Sequence, residues 1–242
     1  MLSKVRIKFI KSLQLKKYRK EEQCFVVEGA KSVREVLASD FEIVTLAATA
    51  EFLLSTKPRG SFEIIEVNEK ELQGLGEFQT NDSALAVVRC KPNDTLRISS
   101  DEFALILDDI RDPGNLGTII RTADWFGIHK IIVSEETTDF YSSKVINSTM
   151  GSFTRVKVFY TNLGDYLATV KLPVYGAYLN GTDLTKVNFG NGGLIVIGNE
   201  SKGINPDLEG FVSHKITIPT FGKAESLNAS IATGIICYAL RQ

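Results

Sequence analysis

The sequence predicts an α/β protein: a mostly parallel sheet covered by helices in its C-terminal part, preceded by a smaller α/β region. Three observations predict it. From Phe103 onward, short apolar runs alternate with segments of helical spacing, as parallel strands joined by helical crossovers require. Residues 1 to about 90 also mix strand-like and helical segments, but open on a strongly basic stretch. Between the two regions, Pro92-Asn93-Asp94 and Ser99-Ser100-Asp101 are clusters of turn formers. These place an N-terminal domain over 1–92, a linker over 93–102 and a C-terminal domain over 103–242.

In the first region, 12–21 reads as a basic helix. Cys24-Phe25-Val26-Val27-Glu28-Gly29 reads as a strand entering a turn. A helix follows over 30–38, then strands over 43–46 and 84–88. In the second region, strands are expected over 104–107, 130–133, 156–159, 174–177, 194–197 and 215–218. Helices lie between them, and a long one over 227–240 ends the chain. In the first of these helices, Leu116, Ile119, Ile120, Ala123 and Phe126 recur at three- and four-residue spacing behind the turn Asp112-Pro113-Gly114-Asn115. Asn115 therefore stands at the helix entrance. Arg121 lies off the apolar stripe. Burying an arginine there without a partner is costly, so it faces a cleft, an anion or another subunit. The plainer reading is a surface ion pair with Asp124 or Asp108.

Composition limits the function classes. The chain has 242 residues, 43% hydrophobic and 24% charged, with a net charge of −1. That balance is ordinary for a globular protein and does not advertise a nucleic-acid binder. The first twenty residues break the average: Lys4, Arg6, Lys8, Lys11, Lys16, Lys17, Arg19 and Lys20 occur with no acidic residue. Such a segment can neutralise phosphates, or can simply be a solvated basic helix. Cys24, Cys90 and Cys237 are far apart and form no CxxC pair, which points to a reducing compartment without a disulfide framework. His129 and His214 are isolated, so no metal site is expected. No apolar run approaches the roughly 18–20 residues needed to span a bilayer, and the N-terminus lacks a signal pattern. A soluble, cytoplasmic protein without membrane contact is expected.

Three stretches carry a resemblance. They are ILDDIRDPGNLGTIIRTADWFGI at 106–128, LIVIGNESKGI at 194–204 and IPTFGKAESLNASIATGI at 218–235. In this order they resemble the three motifs of the SpoU (TrmH) family of RNA ribose 2′-O-methyltransferases. FVVEGAKSVREVL at 25–37 resembles the substrate-binding domain often attached to that family, and KVINSTMG at 144–151 is similar to its linking segment.

The resemblance implies a knotted (SPOUT-type) fold. Pattern alone suggests a doubly wound sheet with ligands at the carboxyl ends of the strands; the family instead threads its C-terminus into a trefoil knot, an exception to the usual topology rules. S-adenosyl-L-methionine is the implied cofactor, and RNA the implied partner, ribosomal more than transfer. The implied assembly is a homodimer through the C-terminal domain. Ala177, Tyr178, Ile197, Gly198, Asn199, Gly203, Ile218, Pro219, Leu227 and Asn228 are implied to line the cofactor site. Asn115, Arg121, Glu200, Ser226 and Asn228 are the implied catalytic set, with Glu200 orienting Arg121. Lys11, Lys16, Lys17, Arg19 and Lys144 are implied RNA contacts, with Tyr18 or Phe25 available to stack on a base, although Phe25 reads first as a core residue.

The chemistry suits these residue types. The sulfonium cofactor carries its own leaving group, so the protein must mainly hold the methyl carbon in line with the attacking oxygen. A ribose hydroxyl is a weak acid and needs a base or an environment that favours alkoxide. The family's arginine is often proposed as that base. A guanidinium has a pKa above about 12 and normally stays protonated. Arg121 is better suited to gripping the neighbouring phosphate and stabilising alkoxide charge. Local readings remain beside these. Ser226 can be a helix N-cap, Glu200 can cap a helix, and Gly151 can end one. Among other classes, a nicotinamide dehydrogenase would need G-x-G-x-x-G after the first strand, and an NTPase a P-loop; neither string occurs. A non-catalytic RNA-binding protein that keeps the fold is disfavoured by the complete polar set.

Overall fold

A computed structural model describes residues 2–242; Met1, the first residue of the basic segment, lies outside the described residues. They form two units. One runs to Pro92 and also takes in Asp139–Thr154; the other comprises Asn93–Thr138 and Arg155–Gln242.

The first unit opens with two helices, α1 (Lys4–Ser12) and α2 (Lys16–Glu22), in place of the single helix expected over 12–21. The break has a physical cause. Leu13 is buried in the core, and the Arg19 guanidinium reaches back to donate to the carbonyls of Leu13 and Gln14 at 2.8 and 2.7 Å. A side-chain donor thus satisfies carbonyls that a continuous helix would have bonded. The chain continues through β1 (Cys24–Glu28), α3 (Ala30–Leu37), β2 (Ile43–Ala48), α4 (Ala50–Thr56), β3 (Glu63–Glu66), α5 (Glu69–Gln73) and β4 (Ala84–Arg89). The sheet order is β1-β4-β2-β3, antiparallel except where β2 meets β3. Ile10, Leu13, Val26, Leu72, Leu75 and Leu85 pack together on one side. Elsewhere, the Phe25 ring lies 5.8, 4.6 and 6.1 Å from those of Phe41, Tyr141 and Phe153.

The second unit begins with the stretch 93–102, expected to be a linker. It has no regular structure but is packed down. The Asn93 side chain pairs with the backbone of Tyr160, Leu96 and Ile98 press on the core, and Tyr166 donates its hydroxyl to the Leu96 carbonyl at 2.7 Å. Then come β5 (Phe103–Leu107), α6 (Pro113–Trp125) and β6 (Lys130–Val133). The short α7 (Ser143–Ser148) lies in the segment that belongs to the first unit. The chain closes with β7 (Lys157–Tyr160), α8 (Leu163–Ala168), β8 (Val174–Asp183), β9 (Gly193–Ile197), β10 (His214–Thr217) and α9 (Ala229–Ala239). All five strand pairings in the order β10-β8-β9-β5-β6-β7 are parallel. Every residue of β5 and β9 is buried, as the central strands of a sheet covered on both faces must be.

Two helix ends differ from expectation. The last helix starts at Ala229, and its N-cap is Asn228 rather than Ser226, the Asn228 carboxamide oxygen accepting from the Ser230 and Ile231 amides. Asparagine, weak inside helices, is strong at this position. Gly151 does not end α7, whose C-cap is Thr149. At the other end of α9, Arg241 donates to the Phe126 carbonyl at 2.9 Å and so satisfies the last turn of α6.

Candidate active site

The site forms where β5, β9 and β10 end. After β5 the chain turns through Asp109, whose φ of +55° is left-handed. The Asp112 carboxylate then caps α6 by accepting from the Asn115 amide at 2.8 Å. Proline at the first helical position presets the entrance. Asn115 thereby sits in the first turn with its side chain free to reach across. Its carboxamide nitrogen donates to Glu200 Oε1 at 2.5 Å, and its oxygen accepts from Asn228 Nδ2 at 2.9 Å. Asn228 Oδ1 in turn receives the Ser230 hydroxyl at 2.6 Å. One hydrogen-bonded chain therefore ties all three motif stretches.

The loop after β9 is a closed turn. Asn199 and Gly203 exchange backbone bonds at 3.0 and 2.8 Å, and Asn199 Oδ1 accepts from the Ser201 and Lys202 amides. A Cβ on Gly198 would come within 2.2 Å of the Gly203 carbonyl carbon, so only glycine lets the strand end and the returning loop meet. Two bonds fasten this loop to the end of β5: Asn199 Nδ2 to the Asp109 carbonyl at 2.8 Å, and the Asn205 amide to Asp108 Oδ2 at 2.6 Å. Burial pushes the Asp108 carboxyl above its usual range, opposed by the Asn205 N–H and aided by Asp109 and Glu136.

The structure brings together Asn115, Glu200 and Asn228. It does not bring Arg121 to Glu200, which is taken by Asn115, so the expected orienting contact is absent and Glu200 caps no helix. Arg121 is exposed on α6 and makes no hydrogen bond or ion pair with a described residue. Neither proposed surface partner holds it. Asp124 pairs with Arg155 at 2.9 Å, and Asp108 accepts from Asn205. Ser226 is exposed and stands outside the hydrogen-bonded chain. Ala177 and Tyr178 continue β8 just beyond the pairing of Gly176 with Val196, level with the end of β9 at Ile197. Ile218 and Pro219 follow β10, half-buried, and Leu227 is 43% exposed.

In the first unit, Lys11, Lys16, Lys17 and Lys144 are exposed. Arg19 is not: it is 6% exposed, with its donors on Asp139, Leu13 and Gln14, so it builds the fold and is no RNA contact. Phe25 is fully buried, whereas Tyr18 is 36% exposed with Lys17 over its ring. Glu28 is structural, accepting from the Glu77 and Phe78 amides. Sequence reading missed Asp108 and Asn205. The one available signal was a carboxylate directly after an apolar strand.

Two family descriptions match the chain: the SpoU rRNA Methylase family over residues 102–238, and the MRM3-like substrate binding domain over residues 4–86. The chain belongs to the SpoU rRNA methylase family. The relatives of this SpoU protein agree. It is 29% identical over 240 residues to the 23S rRNA (guanosine(2553)-2′-O)-methyltransferase RlmP of Bacillus subtilis, covering 98% of this chain and 96% of that one. A solved TrmH-family structure from Porphyromonas gingivalis superposes with a TM-score of 0.91 at 35% identity, covering 99% of this chain and 98% of that one. The AdoMet-bound rRNA methyltransferase of Sinorhizobium meliloti superposes with a TM-score of 0.89 at 31% identity, covering 100% of this chain and 96% of that one.

Proposed function

We propose that this SpoU protein transfers a methyl group from S-adenosyl-L-methionine to a ribose 2′-hydroxyl of ribosomal RNA. The observation that carries the reading is the chain Glu200–Asn115–Asn228, in which residues from three distant motif stretches meet at the ends of parallel strands.

The residues present fit the cofactor. The tight approach of Gly198 to the Gly203 backbone makes a narrow main-chain wall. Ile218 and Leu227 add partly exposed apolar surface, which suits an adenosine. These residues, with Ala177, Tyr178, Ile197, Asn199 and Pro219, would hold it. When bound, it supplies an electrophilic methyl group with a built-in leaving group.

The protein's own residues then position and polarise. Asn228 donates to Asn115, and their other ends are held by Ser230 and Glu200, so neither reorganises when the RNA ribose arrives. Glu200 accepts from Asn115 and sets which way that carboxamide faces. Arg121, exposed and unpaired among the described residues, is available to a phosphate of the RNA. Lys11, Lys16, Lys17 and Lys144 would add phosphate contacts, and Tyr18 a stacking surface. Ribosomal RNA is favoured over transfer RNA because the full-length relative RlmP is a 23S rRNA enzyme.

The finer assembly is part of the same proposal. Ile231, Ile235 and Tyr238 are 55%, 38% and 58% exposed along one face of α9, an apolar stripe that a second copy would cover. We infer a homodimer through this helix, a trefoil knot at the C-terminus, and residence in the cytoplasm, where three unpaired cysteines persist.

The test is transfer of labelled methyl to ribosomal and transfer RNA from a strain lacking the protein. Label on a ribose 2′-oxygen of ribosomal RNA supports the proposal. Label confined to transfer RNA replaces the substrate. Absence of both label and cofactor binding replaces it with the RNA-binding reading.

A further inference from the structure

Glu200 owes its place to a loop, and the loop owes its place to β5. The turn 199–203 is closed on itself by backbone bonds between Asn199 and Gly203. Nothing in that closure fixes where the turn points. Ile204 plants the end of the loop in the core, and two external bonds complete the anchoring. On one side Asn199 Nδ2 donates to the carbonyl of Asp109, and on the other the Asn205 amide donates to the carboxylate of Asp108. Glu200 lies between these two anchor points.

The anchoring end is itself rigid. The Asp108 amide donates to the Ile197 carbonyl at 2.9 Å, extending the β5–β9 ladder by one bond. The Asp109 amide donates to Ser134 Oγ at 3.0 Å, and Ser134 is buried beyond β6. Asp109 holds a left-handed φ of +55°, a conformation that costs a non-glycine residue energy and persists only when its surroundings impose it. Asp108 is 7% exposed, with no cation at its carboxylate among the described residues; its partner is a backbone N–H. Placing a carboxylate there is unfavourable in itself. A neutral apolar side chain would fill the space without that cost, but could not accept from Asn205.

We propose that Asp108 is a positioning residue for methyl transfer: its carboxylate accepts from the Asn205 amide and holds the 199–205 loop so that Glu200 meets Asn115. This deepens the proposed function and rests on it for the cofactor. The upward displacement of the Asp108 carboxyl fits a group kept in place for its acceptor oxygen.

The test compares Asp108→Ala and Asp108→Asn by hydrogen exchange without ligand, and by calorimetric titration with S-adenosyl-L-methionine. Asparagine keeps an acceptor oxygen and removes the charge. With Asp108→Ala, amides of 199–205 should exchange about tenfold faster while those of β6 do not change, and cofactor affinity should fall about tenfold. Asp108→Asn should restore both. Three results would overturn the proposal: unchanged exchange in Asp108→Ala, equal loosening of β6, or an asparagine variant as impaired as the alanine one. If the wild-type protein binds no cofactor, the functional reading fails, while exchange at Asn205 still decides whether Asp108 anchors the loop.

Discussion

Asn115 donates to Glu200 and accepts from Asn228, so a single carboxamide occupies both of its hydrogen-bonding ends with residues from other motifs. Asn115→Ala should therefore disconnect the two. Loss of one preorganised polar group in an active site costs on the order of 10²–10³ in kcat, and that is the expected fall in methyl transfer. Single-turnover assays at saturating cofactor check it; a change confined to KM would contradict it.

Arg121 has no partner among the described residues, so Arg121→Ala should leave folding almost untouched. The melting temperature should correspond to a stability change within about 0.5 kcal/mol, as for other exposed positions. Methyl transfer should nevertheless be lost with cofactor affinity near normal. An inactive but destabilised variant would mean that Arg121 is part of the fold.

Arg19 and its basic neighbours should behave in opposite ways. Removing the buried Arg19 leaves the Asp139 carboxylate and two backbone carbonyls without their donor, and should cost about 3–5 kcal/mol. Replacing exposed Lys16 and Lys17 by alanine should spare stability but flatten the salt dependence of RNA binding by roughly one unit of slope per lysine. Chemical denaturation and binding titrations at several salt concentrations separate the two.

Glu28 gives stability a pH dependence of definite sign. Burial raises its carboxyl above the ordinary value of 4.5, opposed by the Glu77 and Phe78 amides. The unfolded chain then loses the proton first as pH rises. Stability from this group is full below the unfolded value and is lost as pH climbs to the raised folded value. Relative to wild type, Glu28→Gln should gain stability across that window. A pH-independent difference between the two proteins would remove Glu28 as the cause.

The thiols should be inert in the native state. Burial pushes both Cys90 and Cys237 up to about 12, and Cys24 is raised as well. At Cys90 and Cys237 the thiolate fraction at pH 8 is on the order of 10⁻⁴, and Cys24 is shifted the same way, so alkylation should be slow until the chain unfolds. Rapid native labelling of Cys24 or Cys237 would contradict their burial, and of half-buried Cys90 its raised thiol.

Much of this was legible from residue order. β5 and β9 are uniformly apolar, and the other strands of the parallel sheet carry short apolar runs, so alternation along the chain announces them. β3 and α5 escaped because they carry no such period: Glu63–Glu66 is largely exposed at a sheet edge, and Glu69–Gln73 is one turn held by an Asn68–Glu71 capping box. The motifs located Asn115, Glu200 and Asn228, but not which would bond to which. Arg19 misled because a basic run conceals which member is buried. That depended on Asp139, 120 residues away.

The excursion Asp139–Thr154 has a consequence for how the protein can be divided. It carries Asp139 for Arg19, and Tyr141 and Phe153 for the Phe25 ring, all within the first unit. That unit is therefore not a cassette encoded by the first ninety codons. A gene fragment stopping at Pro92 would yield a chain with a bare aromatic patch and a buried guanidinium stripped of its carboxylate. Any recombination that swaps this recognition module between relatives has to exchange two separate stretches of coding sequence at once.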